Sequence, residues 1–262
     1  MKQFEGYLFD LDGTIYAGTK LINGAAELVE SLKEDGKMIA FLTNNSTLSA
    51  ERIAVKLQTF GIQATEEQIV CPTDIAGKYL TQLFGRSNVY VIGSEHLTDS
   101  VVKEGHILSE DLNTPCDVVL VGRDLNFHYQ KLEDAVLHIQ RGAKLVATNL
   151  DYNHPIDTGE AVPETGALIA AIQRTVQVEP YVIGKPASYL FNEALERFQL
   201  NPNETVMVGD NPYTDIKGGR NAGLSTILLM EHLKKVPDDL LVDYTFSNLK
   251  ELMDAMYMAE EA

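Results

Sequence analysis

Gly6-Tyr7-Leu8-Phe9-Asp10-Leu11-Asp12-Gly13-Thr14 is the stretch that decides the fold. An uncharged run ends in two carboxylates at i and i+2, and a glycine follows them. A run without polar alternation suits a strand covered on both faces. In parallel α/β sheets, ligands bind outside the carboxyl ends of the strands, so Asp10 and Asp12 stand where a site belongs. Gly13 lets the chain turn away sharply behind them. Asp-x-Asp pairs are also common on surfaces, so this pair alone decides no chemistry.

Similar runs recur along the chain. Besides Gly6–Asp10, strands are expected at Met38–Thr43, Ile69–Cys71, Val89–Ile92, Val118–Val121, Leu145–Thr148, Tyr181–Ile183, Thr205–Gly209 and Ser225–Leu229. Amphipathic stripes fall between them. Ala25, Leu28, Val29 and Leu32 recur at helical spacing before Gly36, and Ile53, Leu57 and Phe60 before Gly61. Phe191, Ala194, Leu195 and Phe198 make a third stripe. Leu249, Leu252, Met253 and Met256 make the last, capped by Asn248. The Met-rich stripe reads as core packing. Strand–helix alternation with short connections predicts an α/β fold, a parallel sheet with helices on both faces.

Three further strand ends carry useful groups. Met38–Leu42 runs into Thr43-Asn44-Asn45-Ser46, where a hydroxyl and free backbone N–H groups can cradle phosphate, although the same residues serve as a helix N-cap and turn. Tyr181–Ile183 runs into Gly184-Lys185-Pro186. That ammonium can neutralise a phosphoryl oxygen or simply occupy an exposed turn. Thr205–Val208 runs into Gly209-Asp210-Asn211, with Asp215 beyond. These acids can complete a hard-oxygen magnesium site, or form a turn and the first turn of the next helix.

Taken together, Asp10-Leu11-Asp12-Gly13-Thr14, Thr43, Lys185 and Gly209-Asp210…Asp215 resemble, in order, the four motifs of the haloacid dehalogenase superfamily of phosphatases. Thr43-Asn44-Asn45, Ala147-Thr148-Asn149, Gly166-Ala167-Leu168 and Ala222-Gly223 resemble its NagD-type branch, which inserts a large α/β cap between the second and third motifs. Met230-Glu231 departs from the Thr-Gly that many members carry after the fifth core strand. The resemblance implies a Rossmann-like parallel-sheet core from residues 1–79 and 181–262, with a cap for substrate specificity from residues 80–180. Weak breaks near Phe84–Ser87 and Gln177–Pro180 fit that division.

The resemblance also implies roles. Asp10 is expected to attack phosphorus and form an aspartyl-phosphate. Asp12 is expected to protonate the leaving alkoxide, then to deprotonate the hydrolytic water. Magnesium would be held by Asp10, the backbone carbonyl of Asp12, and Asp210. Thr43, Asn44 and nearby N–H groups would hold phosphoryl oxygens, Lys185 would offset charge, and Asp215 would orient Lys185 or a metal-bound water.

Specificity is expected in the cap. Asn149-Leu150-Asp151-Tyr152-Asn153-His154-Pro155 opens a long polar loop to Thr165, and Asp151 and His154 are its candidate substrate contacts. A solvent-exposed loop histidine is the alternative for His154. His96, His106, His128, His138 and His232 sit in no constellation. Gly218-Gly219-Arg220-Asn221-Ala222-Gly223 lacks dinucleotide-binding spacing and reads as a helix packed closely on the sheet.

Composition bounds the partners. With 262 residues the chain is long enough for one or two domains and needs no disulfide or structural metal to fold. Lys+Arg total 21 against 38 Asp+Glu, and the net charge of −17 argues against nucleic-acid binding. It also repels anionic substrates, so a metal ion and placed donors must reverse the sign locally for a phosphorylated metabolite. Cys71 and Cys116 are expected as buried free thiols in a reducing compartment. No apolar run reaches the ~18 residues of a membrane span, and the N-terminus has no secretory pattern, which leaves the cytoplasm as the expected location. Caps of this type can pair, giving a homodimer through the cap. Two rivals share these residues: a phosphotransferase or mutase of the same superfamily, and a non-catalytic binding protein derived from it.

Overall fold

The computed structural model describes residues 2–155, 160–231, 233 and 235–260, so His232 and the 156–159 part of the polar loop lie outside the described residues. The chain forms two compact units. One comprises Met1–Thr43, Glu51–Val70 and Lys185–Ala262, the other Asn44–Ala50 and Cys71–Gly184.

The first unit is built on a six-stranded sheet in the order Tyr244–Phe246, Ser225–Leu229, Thr205–Gly209, Gly6–Phe9, Met38–Leu42, Ile69–Val70, and every neighbouring pair is parallel. From Gly6–Phe9 the chain steps outward through Met38–Leu42 to Ile69–Val70. It then resumes on the opposite side as Thr205–Gly209. Gly6–Phe9 is thus the switch point of a Rossmann-like sheet, where a crevice opens outside the carboxyl ends.

Every residue of Gly6–Phe9 and Thr205–Gly209 is buried. Successive side chains point to opposite faces, so both faces are covered. The helix Ala25–Glu34 buries Ala25, Leu28, Val29 and Leu32, and Ser188–Arg197 buries Leu190, Phe191, Ala194 and Leu195. Each large apolar side chain removed from water contributes about 1.5–3 kcal/mol. The short helix Lys217–Asn221 packs closely, as its glycines predict: a Cβ at Gly219 would stand 2.9 Å from that of Met207, and one at Gly218 would strike the Phe191 ring.

The second unit has its own parallel sheet, in the order Tyr181–Val182, Lys144–Ala147, Val118–Val121, Asn88–Ile92, Ile107–Leu108. Ile92, Val119, Val121, Leu145 and Ala147 pack with Ala135 and Ile139 of the helix Tyr129–Gln140 and with Ile169 and Ile172 of Thr165–Val176. His106 has a structural role: its Nδ1 accepts from the Ser87 N–H at 3.1 Å, which leaves Nε2 to donate to the Gly77 carbonyl at 3.0 Å.

Some elements escaped the sequence reading. Tyr244–Phe246 and Ile107–Leu108 are edge strands of two or three residues, too short to show a period. Part of the expected polar loop is an antiparallel pair, Asn153–Pro155 with Ala161–Pro163. Cys71 is buried, but Cys116 is only half-buried because it precedes the Val118–Val121 strand rather than lying in it; both are free thiols. No described helix is long and apolar enough to cross a membrane.

Candidate active site

Asp10 follows the switch-point strand and is fixed by its backbone, whose N–H donates to the Val208 carbonyl at 2.9 Å. Its carboxylate takes a 2.5 Å hydrogen bond from the Lys185 ammonium. Lys185 also donates to Asp215 at 2.7 Å and to the carbonyl of Leu42, the residue before Thr43, at 3.1 Å. One ammonium therefore joins the ends of two strands and the turn after a third. Lys185 itself precedes the helix Ser188–Arg197 and is 2% exposed, so it is no surface-turn lysine.

Asp210 and Asp215 come from the segment after Thr205–Gly209. Asn211 caps the turn Pro212–Ile216 through its side chain, so the turn expected at Asp-Asn-Pro exists alongside the acidic cluster. The Asn211 N–H donates to Asp215 at 3.0 Å, and the Thr14 hydroxyl donates to Asp210 at 3.2 Å. Gly13 has φ +101°, and a Cβ there would collide with the Asp210 carboxylate, so only glycine allows this approach.

Burial raises the Asp10 carboxyl well above the usual range, with Asp215 and Asp210 adding to the effect and Lys185 opposing it. Burial, then Asp215, pushes Asp210 up to about 6. For Lys185, burial alone would lower the pKa, but Asp10 and Asp215 together raise it, so it is a fixed cation. Oxygens of Asp10, Asp210 and Asp215 all lie within 4.8 Å of one another. Three carboxylates facing one ammonium carry two excess negative charges when ionised. That all-oxygen set, with no His or Cys in the cluster, fits a hard divalent cation. Asp12 was expected among the ligands through its backbone carbonyl, and its carboxylate is outside this cluster.

The exposed Asp12 carboxylate lies 3.3 Å from the buried Tyr16 hydroxyl. Burial, then Asp12 and Asp10, pushes the Tyr16 phenol upward, so it stays a donor. Thr43 is buried at the end of Met38–Leu42 and donates its N–H to the Val70 carbonyl at 3.2 Å.

The remaining candidates belong to the second unit. The Asn44 and Asn149 amides donate to one oxygen of Asp151 at 2.9 and 2.8 Å. His154 Nδ1 lies 2.6 Å from Glu164, which Arg123 approaches to 3.5 Å. The imidazole, 35% exposed, thus stands beside an Arg–Glu pair. The reading of the sequence gave no role to Thr14, Tyr16, Arg123, Asn149 or Glu164. Thr14 and Tyr16 lie inside or just past the first motif, but nothing in their spacing announces the partner.

Residues 7–106 match the family described as haloacid dehalogenase-like hydrolase, and residues 182–252 match a second description, HAD-hydrolase-like. The chain belongs to the haloacid dehalogenase-like hydrolases. The 5'-nucleotidase YutF of Bacillus subtilis is 38% identical over 229 residues, covering 87% of this chain and 88% of that one. An acid sugar phosphatase of Staphylococcus saprophyticus is 34% identical over 261 residues, covering 97% and 98%. The p-nitrophenyl phosphatase of Archaeoglobus fulgidus superposes with a TM-score of 0.89 at 29% identity, covering 97% of this chain and all of that one, 100%. This haloacid dehalogenase-like hydrolase falls in the NagD-like branch and is a phosphoric monoester hydrolase.

Proposed function

We propose that this phosphatase is magnesium-dependent and hydrolyses a small phosphorylated metabolite through an aspartyl-phosphate on Asp10. The observation that supports it most is the buried Lys185 ammonium held between Asp10 and Asp215, with Asp210 beside them. The names of the relatives favour a nucleoside monophosphate or a sugar phosphate as substrate.

In this reading Asp10 attacks phosphorus in line with the departing oxygen. Its ionised form is favoured by Lys185, which also faces the phosphoryl charge. Asp12 gives a proton to the leaving alkoxide as the P–O bond breaks. The resulting carboxylate then takes a proton from water as that water attacks the aspartyl-phosphate, freeing phosphate and restoring Asp10. Thr43 and Asn44 hold phosphoryl oxygens, and Asp215 positions Lys185. Asp10, Asp210 and the Asp12 carbonyl would hold magnesium, which when bound neutralises charge on the phosphoryl oxygens. Residues 80–180 act as a cap, and Asp151 and His154 within it discriminate among leaving groups, because the core motifs address only the phosphoryl group.

The test is acid-quenched enzyme analysed by peptide mass spectrometry after mixing with p-nitrophenyl phosphate and magnesium. The expected adduct is one phosphoryl group on the peptide carrying Asp10. A phosphoryl group on another residue would refute the assignment of the nucleophile.

A further inference from the structure

Tyr16 is a residue the reaction scheme leaves unused, yet it is built as a fixed donor. Its ring is 1% exposed. Its carbonyl accepts from the Gly13 N–H at 2.8 Å, and its own N–H donates to the Leu11 carbonyl at 3.1 Å. The Phe60 ring centroid lies 5.6 Å away, and the Lys56 ammonium sits 3.6 Å above the Tyr16 ring centroid. Backbone, aromatic contact and cation–π contact thus hold the phenol from three directions. Its one polar atom is left facing Asp12 at 3.3 Å.

Asp12, by contrast, has an exposed side chain, on a backbone bridged to that of Tyr16. A short carboxylate side chain there has several rotamers, and only some can reach a leaving-group oxygen. We propose that Tyr16 is a positioning residue that holds Asp12 in the rotamer from which it transfers its proton. This rests on the reading of Asp12 as general acid and base. At 3.3 Å the contact is long for a hydrogen bond to a carboxylate. Catalytic hydrogen bonds are often loose in the free enzyme and tighten with substrate, so the free-state distance suits a guide rather than a lock. The cation above the ring draws electron density toward itself and makes the hydroxyl a better donor.

The leaving group separates this role from simple core packing. An alkyl alkoxide needs a proton to depart, whereas p-nitrophenolate departs as a stable anion. Tyr16→Phe keeps the ring and removes only the hydroxyl. It is expected to lower kcat/KM for an alkyl phosphate by about tenfold, the worth of one hydrogen bond to a charged group. For p-nitrophenyl phosphate kcat/KM should stay near wild type. Lys56→Gln, which leaves Tyr16 intact, should show the same selectivity more weakly, and it provides a second route if Tyr16→Phe folds poorly.

Asp12→Asn, measured on the same two esters, separates the proposal from the reading beneath it. Selective loss in Asp12→Asn and in Tyr16→Phe, with no further loss in the double variant, supports the positioning role. Selective loss in Asp12→Asn but equal losses on both esters in Tyr16→Phe overturns the role of Tyr16 and leaves that of Asp12 standing. No selectivity in Asp12→Asn overturns both.

Discussion

Lys185 and Asp215 form an ion pair at 2.7 Å whose side chains are 2% and 1% exposed. A buried pair of this kind is weak evidence of stability, because desolvation offsets the Coulombic gain. Removing one partner is costly, however, since the other charge stays buried.

Lys185→Met should therefore destabilise the metal-free protein by about 3–5 kcal/mol at neutral pH. The sign of its pH dependence follows from what is left. Asp10 and Asp210 already have raised pKa values through burial, and without the ammonium they rise further. A carboxyl raised in the folded state costs stability above its unfolded pKa and nothing once both states are protonated. The deficit relative to wild type should thus shrink as pH falls from 7.5 toward 4.5. Urea unfolding in EDTA across that range measures it, and a pH-independent deficit would count against charge as the cause.

Magnesium binding should also depend on pH. A ligand must be deprotonated to bind metal, and Asp210 is pushed up to about 6. Apparent magnesium affinity should fall by at least about tenfold per pH unit below that value, because the Asp10 carboxyl, the other carboxylate ligand, is raised as well. Titration calorimetry at several pH values reads this directly. Affinity that stayed flat through that range would mean Asp210 is not a ligand.

Gly13→Ala tests the geometry behind that ligand. A Cβ at Gly13 would collide with the Asp210 carboxylate, and φ +101° is itself unfavourable for alanine. The variant should lose more than about 1 kcal/mol of stability. Its magnesium affinity should fall as well, because Asp210 must move. Thermal unfolding with and without magnesium checks both parts.

Much of this site was legible because the chemistry sits at strand ends. Gly6–Phe9 and Thr205–Gly209 are continuous buried runs, and such runs mark their own ends. What comes together across long sequence gaps was less legible. Nothing near Thr14 announces Asp210, and nothing near His154 announces Arg123. Tyr16 carries no signal of its own, since a buried aromatic ring leaves the same trace whether or not its hydroxyl works. Tyr244–Phe246 was invisible for another reason: three residues half-covered at a sheet edge show no period.

In the second unit, Asp151 is pinned by the Asn44 and Asn149 amides, and His154 faces Glu164. Alanine at Asp151, Tyr152 or His154 should change the ratio of kcat/KM among phosphate esters by about 1–3 kcal/mol per lost contact. Hydrolysis itself should persist. A panel of nucleoside and sugar phosphates run on the three variants provides the comparison, and unchanged ratios in all three would move specificity elsewhere.

The proposed mechanism rests on Asp10 as nucleophile, so turnover by Asp10→Asn tests it most directly. The amide keeps the shape of the side chain but cannot act as the nucleophile. With p-nitrophenyl phosphate and saturating magnesium, kcat should drop by about 10⁴-fold or more, while circular dichroism stays that of the wild type. A well-folded Asp10→Asn enzyme that retained a kcat within an order of magnitude of wild type would contradict covalent catalysis at this residue.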